Sequence, residues 1–258
     1  MSHRPRKRFS QNFLVDESAI AAIVAAIAPK IDDTMVEIGP GLGALTRPLS
    51  RVVRPLHVVE IDRDLAARLR AEYAGGTIHV HEGDALEFDL RSIGGDVRVV
   101  GNLPYHISTP LLFSFAAQAA VLRDVHVMLQ SEVVERIVAA AGASDYGRLS
   151  VMLQYRFHIE KVLDVPASAF EPPPNVESAV IRMVPREAAE LTAGREETLS
   201  ETVAQAFSQR RKTLRNTLGR HLAPEDFAAL DIDPQARAQN LTVADFVRIA
   251  NYREERGG

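Results

Sequence analysis

The sequence predicts an α/β fold, in which helices cover both faces of a parallel β-sheet and a small all-helical domain follows. Three observations lead to this prediction. Short apolar strands alternate with amphipathic helices through the first half of the chain. The runs at 97–100 and 124–130 are rich in apolar residues, which is typical of strands buried on both faces. From Glu201 onward the apolar spacing is helical only.

Composition limits the possible classes of protein. The chain has 258 residues, of which 46% are hydrophobic, enough for one large domain with a small appendage. It has no cysteine, which excludes disulfides, thiolate zinc sites and a cysteine nucleophile. No apolar run approaches the roughly 18 residues of a membrane span, and no apolar stretch follows the basic start as in a secretory signal. We therefore expect a cytoplasmic protein with no membrane partner.

The elements of the sheet follow one another at short intervals. A helix capped by Asp16 or Ser18 opens the chain and ends before Pro29. Five strands come next, at residues 35–38, 56–60, 77–81, 97–100 and 124–130. Helices separate them, the clearest at 64–73 and through Leu111 and Phe115. Because each strand returns through a helix, we expect parallel strands whose carboxyl ends lie at one edge of the sheet.

The second half of the chain begins with helices through Val134 and Ile137 and over 146–157. Strands at 162–165 and 176–184 then flank residues 170–175, where three consecutive prolines exclude a helix. The polar stretch from Pro185 to Ser200 is typical of a domain boundary. We therefore predict a sheet domain at 1–185 and a helical domain at 186–258, with helices at 201–221, 224–230 and 242–253.

A glycine-rich loop, Gly39-Pro40-Gly41-Leu42-Gly43, joins the first predicted strand to the next helix. With Ala44 it satisfies the G-x-G-x-x-G/A pattern of dinucleotide sites, where glycines let a ligand approach the backbone. The pattern alone is weak evidence. Glu37 would repel a pyrophosphate, and Pro40 removes one backbone N–H that a phosphate needs. Both details favour a cationic ligand.

Acidic residues end the next two predicted strands. Glu60 lies 19 residues after Gly41, where a carboxylate commonly binds two ribose hydroxyls. Asp84 ends the following strand, where it can accept a hydrogen bond from an adenine amine. Glu60 alone is equally well explained as a solvated strand end. Together with the glycine loop, the two acids indicate a nucleoside that carries a positive charge, and S-adenosylmethionine fits that description.

A stiff corner, Asn102-Leu103-Pro104-Tyr105, follows the strand at 97–100. It offers one amide side chain, two carbonyls whose direction a proline restricts, and one aromatic face. These groups suit a flat base with an exocyclic amine. A turn without function is an equally open interpretation of the corner alone, because Pro and Asn favour turns.

Nine motifs in this order resemble those of the ribosomal RNA adenine N6,N6-dimethyltransferases, and among them the bacterial small-subunit (16S) enzymes. The resemblance covers almost the whole chain. The motifs occupy residues 9–14, 37–43, 60–62, 83–86, 102–105, 128–130, 146–150, 170–174 and 211–216. Three departures from the family pattern are Ser10 in place of Gly, His106 in place of Asn and Ser131 in place of Lys.

The resemblance implies a Rossmann-like S-adenosylmethionine-dependent methyltransferase that dimethylates two adjacent adenines near the 3′ end of small-subunit rRNA, during assembly of that subunit. Residues matching the family's cofactor contacts are Asn12, Leu14, Gly39, Gly41, Glu60, Ile61, Asp84, Ala85 and Asn102. Residues matching its catalytic and target-base contacts are Asn102, Leu103, Pro104, Tyr105 and Phe170. The Asn102 side chain and the Leu103 carbonyl would bind the target amine, and the sequence leaves open whether Asn102 uses its oxygen or its nitrogen.

Basic residues cluster late in the chain although the net charge is −4. We expect Arg210, Arg211, Lys212 and Arg215 to contact rRNA phosphates from a helix with Leu214 and Leu218 on its other side; a solvated helix face is the alternative. His79 and His81 share a strand face but have no third ligand nearby in sequence, so we expect no metal site. We also expect a monomer.

Three other functions stay open at this point. A large-subunit rRNA methyltransferase would use the same chemistry. A binding factor that monitors ribosome assembly, with methylation secondary, would have the same basic helical tail. A nucleotide-dependent dehydrogenase would use the same glycine loop.

Overall fold

The computed structural model describes residues 12–256. Within that range the chain divides into two compact units. The sheet unit contains residues 12–134 and 158–185, and the helical unit contains residues 135–157 and 186–256.

The sheet unit is built from strands that alternate with helices. Its strands are β1 (Phe13–Leu14), β2 (Thr34–Ile38), β3 (Leu56–Glu60), β4 (Ile78–Glu82), β5 (Val97–Asn102), β6 (Leu122–Gln130), β7 (Phe157–Val165), β8 (Phe170–Glu171) and β9 (Ser178–Pro185). Its helices are α1 (Glu17–Ile27), α2 (Thr46–Leu49), α3 (Arg63–Glu72) and α4 (Ser108–Ala117). Helix α5 (Ser131–Val138) follows β6 and leads into the helical unit.

Seven strands form one sheet in the order β4-β3-β2-β5-β6-β9-β7. Strands β2 to β6 pair in parallel, whereas β9 runs antiparallel to β6. The predicted α/β fold is therefore confirmed, and the sheet is mixed at one side. Strands β2 and β5 lie in the middle, with Val36, Val99 and Val100 fully buried, as expected for strands covered on both faces. This order brings the carboxyl ends of β2, β3, β4 and β5 to one edge.

A buried ion cluster fixes the register of β5 and β6 at the other end of the strands. Arg98, paired directly with Asp124 across the two strands, donates to that carboxylate at 2.9 Å. The same guanidinium donates to Asp33 at 2.7 Å and to the carbonyl of Ile27 at 2.6 Å. Because these charges are buried, losing one partner would leave the others unsatisfied, so the cluster holds a single register.

A second, two-stranded sheet was absent from the sequence prediction. Strand β1 pairs antiparallel with β8, with Phe13 opposite Glu171 and Leu14 opposite Phe170. Residues 170–175 were expected to form a loop throughout, but their first two residues are a strand. A two-residue strand has no periodicity to read, and its partner is far away in sequence, so only tertiary pairing reveals it.

The helical unit contains more of the chain than predicted. Residues 135–157, expected in the domain at 1–185, cluster instead with residues 186–256. The reason is packing, because Tyr146, Val151 and Tyr155 are buried in one apolar core with the C-terminal helices. The helices are α6 (Arg148–Arg156), α7 (Glu196–Ala206), α8 (Leu214–Leu218), α9 (Pro224–Ala229) and α10 (Val243–Glu255). Within residues 12–256, no helix is both long enough and apolar enough to cross a membrane.

The predicted helix at 201–221 is wrong as a continuous element. Helix α7 ends at Ala206, and α8 starts only at Leu214. Between them the backbone turns toward a distant segment, where Thr213 forms an isolated antiparallel bridge with Arg237 and the Leu214 N–H donates to the Ala236 carbonyl at 2.8 Å. These long-range hydrogen bonds take the place of hydrogen bonds within a helix. The spacing of apolar residues carries no information about them, so it did not reveal the break.

Candidate active site at the carboxyl ends of the parallel strands

A cavity lies at the edge of the sheet where β2, β3 and β5 end. Every predicted cofactor-binding residue lines it, as do all predicted catalytic residues except Phe170. The lining residues are Asn12, Phe13, Leu14, Glu37, Ile38, Gly39, Pro40, Gly41, Leu42, Ala44, Leu45, Val59, Glu60, Ile61, Gly83, Asp84, Ala85, Asn102, Leu103, Pro104, Tyr105, His106 and Ile107.

The lining of the cavity is acidic. Glu37, Glu60 and Asp84 all contribute to its lining, and no Lys or Arg is among the described residues that line it. Acidic side chains without a cationic partner repel a phosphate and attract a positive charge. The residues present therefore fit a nucleoside that carries a positive charge, such as S-adenosylmethionine, and do not fit a pyrophosphate cofactor.

Three glycines shape the loop after β2. Gly39, Gly41 and Gly43 have φ angles of 66°, 56° and 83°, a region that side chains with a Cβ rarely adopt. The Gly39 N–H donates to the Val59 carbonyl at 2.9 Å, which ties the loop to the end of β3. The glycines thus let the backbone turn directly under the cavity.

Glu60 is held in place by backbone groups on both sides. One carboxylate oxygen accepts the Asp62 N–H at 2.9 Å, and the other accepts the Gly41 N–H at 3.1 Å. Burial raises the pKa of Glu60, and these two hydrogen bonds oppose the rise. Each carboxylate oxygen can accept a further hydrogen bond, so the group can receive two hydroxyls from the cavity.

Glu37 is a buried carboxyl with a strongly perturbed ionisation. It is 2% exposed, and one of its oxygens accepts the Thr46 hydroxyl at 2.7 Å. Burial raises its pKa to about 7; the Thr46 hydrogen bond opposes the rise and the nearby charge of Glu60 adds to it. Such a group gains most from a cation in the cavity, because a cation compensates its charge where water cannot.

Gly101 sets the approach of β5 to β2. It pairs with Ile38, and a Cβ at position 101 would lie 2.5 Å from the Ile38 carbonyl oxygen. Only glycine fits at this distance, since the Ile38 carbonyl belongs to backbone that the sheet holds in place. The close approach places Asn102, the next residue, beside the glycine loop, where its carbonyl oxygen lies 3.8 Å from an ideal Cβ at Gly39.

The corner at 102–105 is anchored on both sides. The Asn102 side chain donates from Nδ2 to the Asn12 carbonyl at 3.4 Å. The Leu103 N–H donates to the Met128 carbonyl at 3.1 Å, and Leu103 is 1% exposed. Pro104 has φ −59°, the value its ring imposes. The direction of the Leu103 carbonyl is therefore fixed by the sheet and by the proline.

Phe170 does not reach the cavity. Its side chain is 3% exposed and packs in the apolar core with Leu14, its partner across the β1–β8 ribbon. Phe170 supports the segment 12–14 by packing with Leu14. The resemblance, in contrast, implied a contact between Phe170 and the target base. Of the two aromatic residues predicted to hold the target base, only Tyr105 lines the cavity. Phe13, Leu42 and His106 also line the cavity, and the sequence indicated no contact role for them.

The predicted rRNA-binding residues lie in the helical unit. Arg210, Arg211, Lys212 and Arg215 are all exposed, and Arg210 also donates to the Ser144 carbonyl. The bridge between Thr213 and Arg237 adds one more exposed cation, Arg237, to this group. The sequence gave no sign of it, because Arg237 is an isolated basic residue there.

Three histidines pack together on β3 and β4, away from the cavity. His57 Nδ1 lies 3.0 Å from His81 Nε2, and the His79 ring meets His57 edge-on at 5.1 Å. Burial and the two neighbouring rings lower the pKa of His57 to about 4, so His57 is neutral at physiological pH. Within the described part of the chain, no three His, Cys, Asp or Glu side chains are arranged to hold a metal ion.

Comparison with known proteins adds an independent line of evidence. The family model for "Ribosomal RNA adenine dimethylase" matches residues 2–255. Curated relatives named "Ribosomal RNA small subunit methyltransferase A" include one from Dechloromonas aromatica, 57% identical over 250 residues, which are 97% of this chain and 98% of the relative. Another, from Thiobacillus denitrificans, is 58% identical over 250 residues, with the same coverage of 97% and 98%.

Two solved structures share both the fold and detectable sequence similarity. A dimethyladenosine transferase from Plasmodium falciparum has a TM-score of 0.83 and 25% identity, covering 95% of this chain and 98% of the other. The 23S rRNA methyltransferase ErmE has a TM-score of 0.71 and 26% identity, covering 94% of this chain and all of the other, 100%.

Proposed function

The chain belongs to the ribosomal RNA adenine dimethylase family, and from that premise we propose that it methylates the N6 amines of two adjacent adenines. The proposed target is the 3′-terminal hairpin of small-subunit (16S) rRNA during assembly of the small ribosomal subunit, and the methyl donor is S-adenosylmethionine. The observation that carries the proposal is the juxtaposition of a carboxylate-lined cavity with the Asn102–Tyr105 corner at one edge of the sheet.

The cavity residues have distinct roles toward the donor. Glu60 would bind the ribose hydroxyls through its two fixed oxygens, and Asp84 would accept from the adenine amine. Glu37 contributes a compensating negative charge, and Ile61 and Ala85 contribute apolar contact. When bound, S-adenosylmethionine supplies a methyl group on a positively charged sulfur. Asn12 and Leu14 would close the same space from the N-terminal segment.

The corner residues act on the target amine. Because Asn102 Nδ2 faces the Asn12 carbonyl, its Oδ1 is free to accept one N–H of the amine, and the Leu103 carbonyl accepts the other. Both hydrogen bonds favour a pyramidal nitrogen, which localises the lone pair that the adenine ring otherwise withdraws. The lone pair then points toward the donor, so positioning supplies most of the acceleration.

Neither methyl transfer requires a strong base. Formation of the N–CH3 bond would break the bond between the methyl group and the donor sulfur, which leaves as the neutral thioether of S-adenosylhomocysteine. The amine nitrogen would then be cationic and therefore acidic, so that it loses one N–H proton to solvent. After the first transfer the nitrogen keeps one N–H, which one of the two acceptors can still hold. The second transfer then follows the same course.

The rRNA must present an unstacked base. A target adenine in a hairpin has to leave its stack to reach the corner, where Tyr105 would stack against it for about 1–3 kcal/mol. Phe170 could join that wall only after leaving the core, so its predicted contact with the base remains a prediction. The exposed cations Arg210, Arg211, Lys212 and Arg215 would hold the phosphate backbone, and Arg210 also donates to the Ser144 carbonyl.

The small subunit is preferred over the large one as the source of the substrate. Relatives named for the small subunit reach 57–58% identity over nearly the full chain, whereas the 23S rRNA enzyme ErmE is 26% identical. Cytoplasmic location and a monomeric state stay predictions. A separate role in monitoring assembly is the main competing function. It is distinguished by Asn102→Ala: normal maturation of small subunits without methylation would assign the main role to binding.

Incubation with labelled S-adenosylmethionine tests the proposal. We expect incorporation into unmethylated small-subunit particles or their rRNA, and none into large-subunit rRNA; the reverse pattern would contradict the proposed substrate.

Glu60→Gln should weaken S-adenosylmethionine binding by calorimetry about a hundredfold, since two hydrogen bonds to a charged group are weakened. Glu82→Gln is the matched control, because Glu82 pairs with Glu60 across β3 and β4 but binds Arg63 and Arg70. Stabilisation by NAD instead would indicate a dehydrogenase.

A further inference from the structure

Two buried serine hydroxyls hold Tyr105 at opposite ends. Ser108 Oγ donates to the Tyr105 backbone carbonyl at 3.0 Å, and the Tyr105 phenol oxygen lies 3.1 Å from Ser178 Oγ. Ser108 is 3% exposed and Ser178 is fully buried, at 0%. Tyr105, between them, is half-buried and lines the cavity. Tyr105 is therefore held at its backbone carbonyl and at its phenol oxygen, while the face of its ring stays accessible.

Ser178 stands on a rigid part of the sheet unit. It is the first residue of β9 and pairs with Gln130 at the end of β6. Its neighbour Glu177 accepts two backbone N–H groups, from Ser131 through its carbonyl at 3.0 Å and from Ala167 through its carboxylate at 2.8 Å. The segment 177–178 thus ties Tyr105, the start of α5 and the approach to β8 to the antiparallel side of the sheet.

The contact restricts the orientation of the ring. A tyrosine side chain has two rotatable bonds, and a hydrogen bond at the phenol oxygen fixes the direction of the ring axis. Turning the ring away would leave the buried Ser178 hydroxyl without its partner, which carries a desolvation penalty. A phenylalanine at this position would keep the aromatic face but lose the fixed direction. The Tyr105 ring beside Asn102 therefore has a fixed direction before any base binds.

We propose that Ser178 is a positioning residue for methyl transfer, whose hydroxyl holds the Tyr105 ring in the orientation that the target adenine stacks against. The inference rests on the proposed function and deepens it. Ser178 does not line the cavity, so it acts only through Tyr105. Its effect therefore falls on the target base and not on the methyl donor, and the Tyr105 hydroxyl has a partner within the protein.

Steady-state kinetics on unmethylated small-subunit particles test this inference. Ser178→Ala should lower kcat roughly tenfold or more, because a loosened ring misplaces the amine, while calorimetry gives an S-adenosylmethionine Kd within about twofold of the wild-type value. Tyr105→Phe should cause a loss of similar size. In the double variant the two losses should not multiply, because both substitutions remove the same hydrogen bond.

Ser150→Ala is the matched control. Ser150 is also fully buried and its hydroxyl donates to the Arg136 carbonyl, but it lies in the helical unit. It should lower the melting temperature as Ser178→Ala does and leave kcat within about twofold. Equal kcat for Ser178→Ala and wild type, or multiplicative losses in the double variant, would overturn the inference. Absence of incorporation by the wild-type protein in the same assay would instead overturn the proposed function.

Discussion

The Asn102 side chain donates its amide N–H to the backbone carbonyl of Asn12, with 3.4 Å between Nδ2 and the oxygen. A carbonyl can only accept, so the nitrogen of Asn102 must face it and the oxygen must face the cavity. The sequence left this orientation undecided. The bond also ties the N-terminal segment, one wall of the cavity, to the corner that would bind the target amine.

Replacing Asn102 tests which of its atoms acts on the target. Asn102→Ala removes the acceptor and should slow single-turnover methyl transfer by about two orders of magnitude or more. Asn102→Asp keeps an acceptor oxygen but loses the donor to Asn12, so its rate should fall between those of wild type and Asn102→Ala. An Asp variant slower than the Ala variant would mean that the nitrogen, not the oxygen, serves the reaction.

Asn251 provides a control for the loss of an asparagine that bridges backbone groups. Its side chain accepts the Gly194 N–H at 2.8 Å and donates to the Thr192 carbonyl at 2.9 Å, within the helical unit. Asn251→Ala should lower stability by about 1 kcal/mol and leave the single-turnover rate unchanged.

Gly101→Ala should damage both stability and the cofactor site. The new Cβ would lie 2.5 Å from the Ile38 carbonyl oxygen, so β5 and β2 must separate at the edge of the cavity. We expect a loss of about 1–3 kcal/mol in the free energy of unfolding, measured by urea denaturation, together with weaker S-adenosylmethionine binding. Gly75→Ala is the control, since nothing lies within 4 Å of its Cβ position. Equal stability of the two variants would refute the close approach.

Glu37→Gln should make stability less dependent on pH. The folded protein holds the Glu37 proton up to a pKa of about 7, whereas the ordinary pKa of a glutamic acid in an unfolded chain is 4.5. Between these values the unfolded state loses its proton first, so the wild-type protein loses stability as pH rises through this window. A glutamine does not titrate.

The variant should therefore gain about 2–3 kcal/mol relative to wild type between pH 5 and pH 8, measured by urea denaturation at both values without ligand. It should also bind S-adenosylmethionine more weakly at pH 8, because the charge that faces the cation is gone. A stability difference that is independent of pH would show that Glu37 ionises normally in the folded protein.

The basic group of the helical unit should act through phosphate contacts. Substituting Arg211, Lys212 and Arg237 together by Gln should weaken rRNA binding and reduce the slope of log K against log salt by about one unit per lost contact. Arg248→Gln is the control, because Arg248 is exposed but paired with Asp245 at 2.8 Å. An unchanged salt slope in the triple variant would place the phosphate contacts elsewhere.

The sequence predicted the family, the α/β fold and the methyltransferase class, and all three are confirmed. It succeeded because strand ends carry the chemistry: Glu60, Asp84 and Asn102 are recognisable by type and position. It was less informative where long-range pairing decides the structure. The β1–β8 ribbon, the break before Leu214 and the packing of 135–157 with the C-terminal helices all depend on partners distant in sequence.

Phe170 and Ser178 illustrate the same difference within the site. An aromatic residue near a proline run was assigned to the target base by resemblance, but its ring packs in the core against Leu14. Ser178 carries no chemical signature in the sequence, and only its 3.1 Å contact with Tyr105 gives it a role. The type of a residue in the sequence predicts whether its side chain can take part in the chemistry. Residues that only position such a side chain, like Ser178, are identified by their contacts in the structure.

Mass spectrometry of the 3′-terminal hairpin of small-subunit rRNA tests the central claim most directly. Particles lacking the modification are incubated with S-adenosylmethionine and either the wild-type protein or Asn102→Ala. We predict two adjacent N6,N6-dimethyladenines with the wild-type protein, and formation of the same products about two orders of magnitude more slowly with the variant. An unmodified hairpin after incubation with wild-type protein, or methyl groups on any other base, would contradict it.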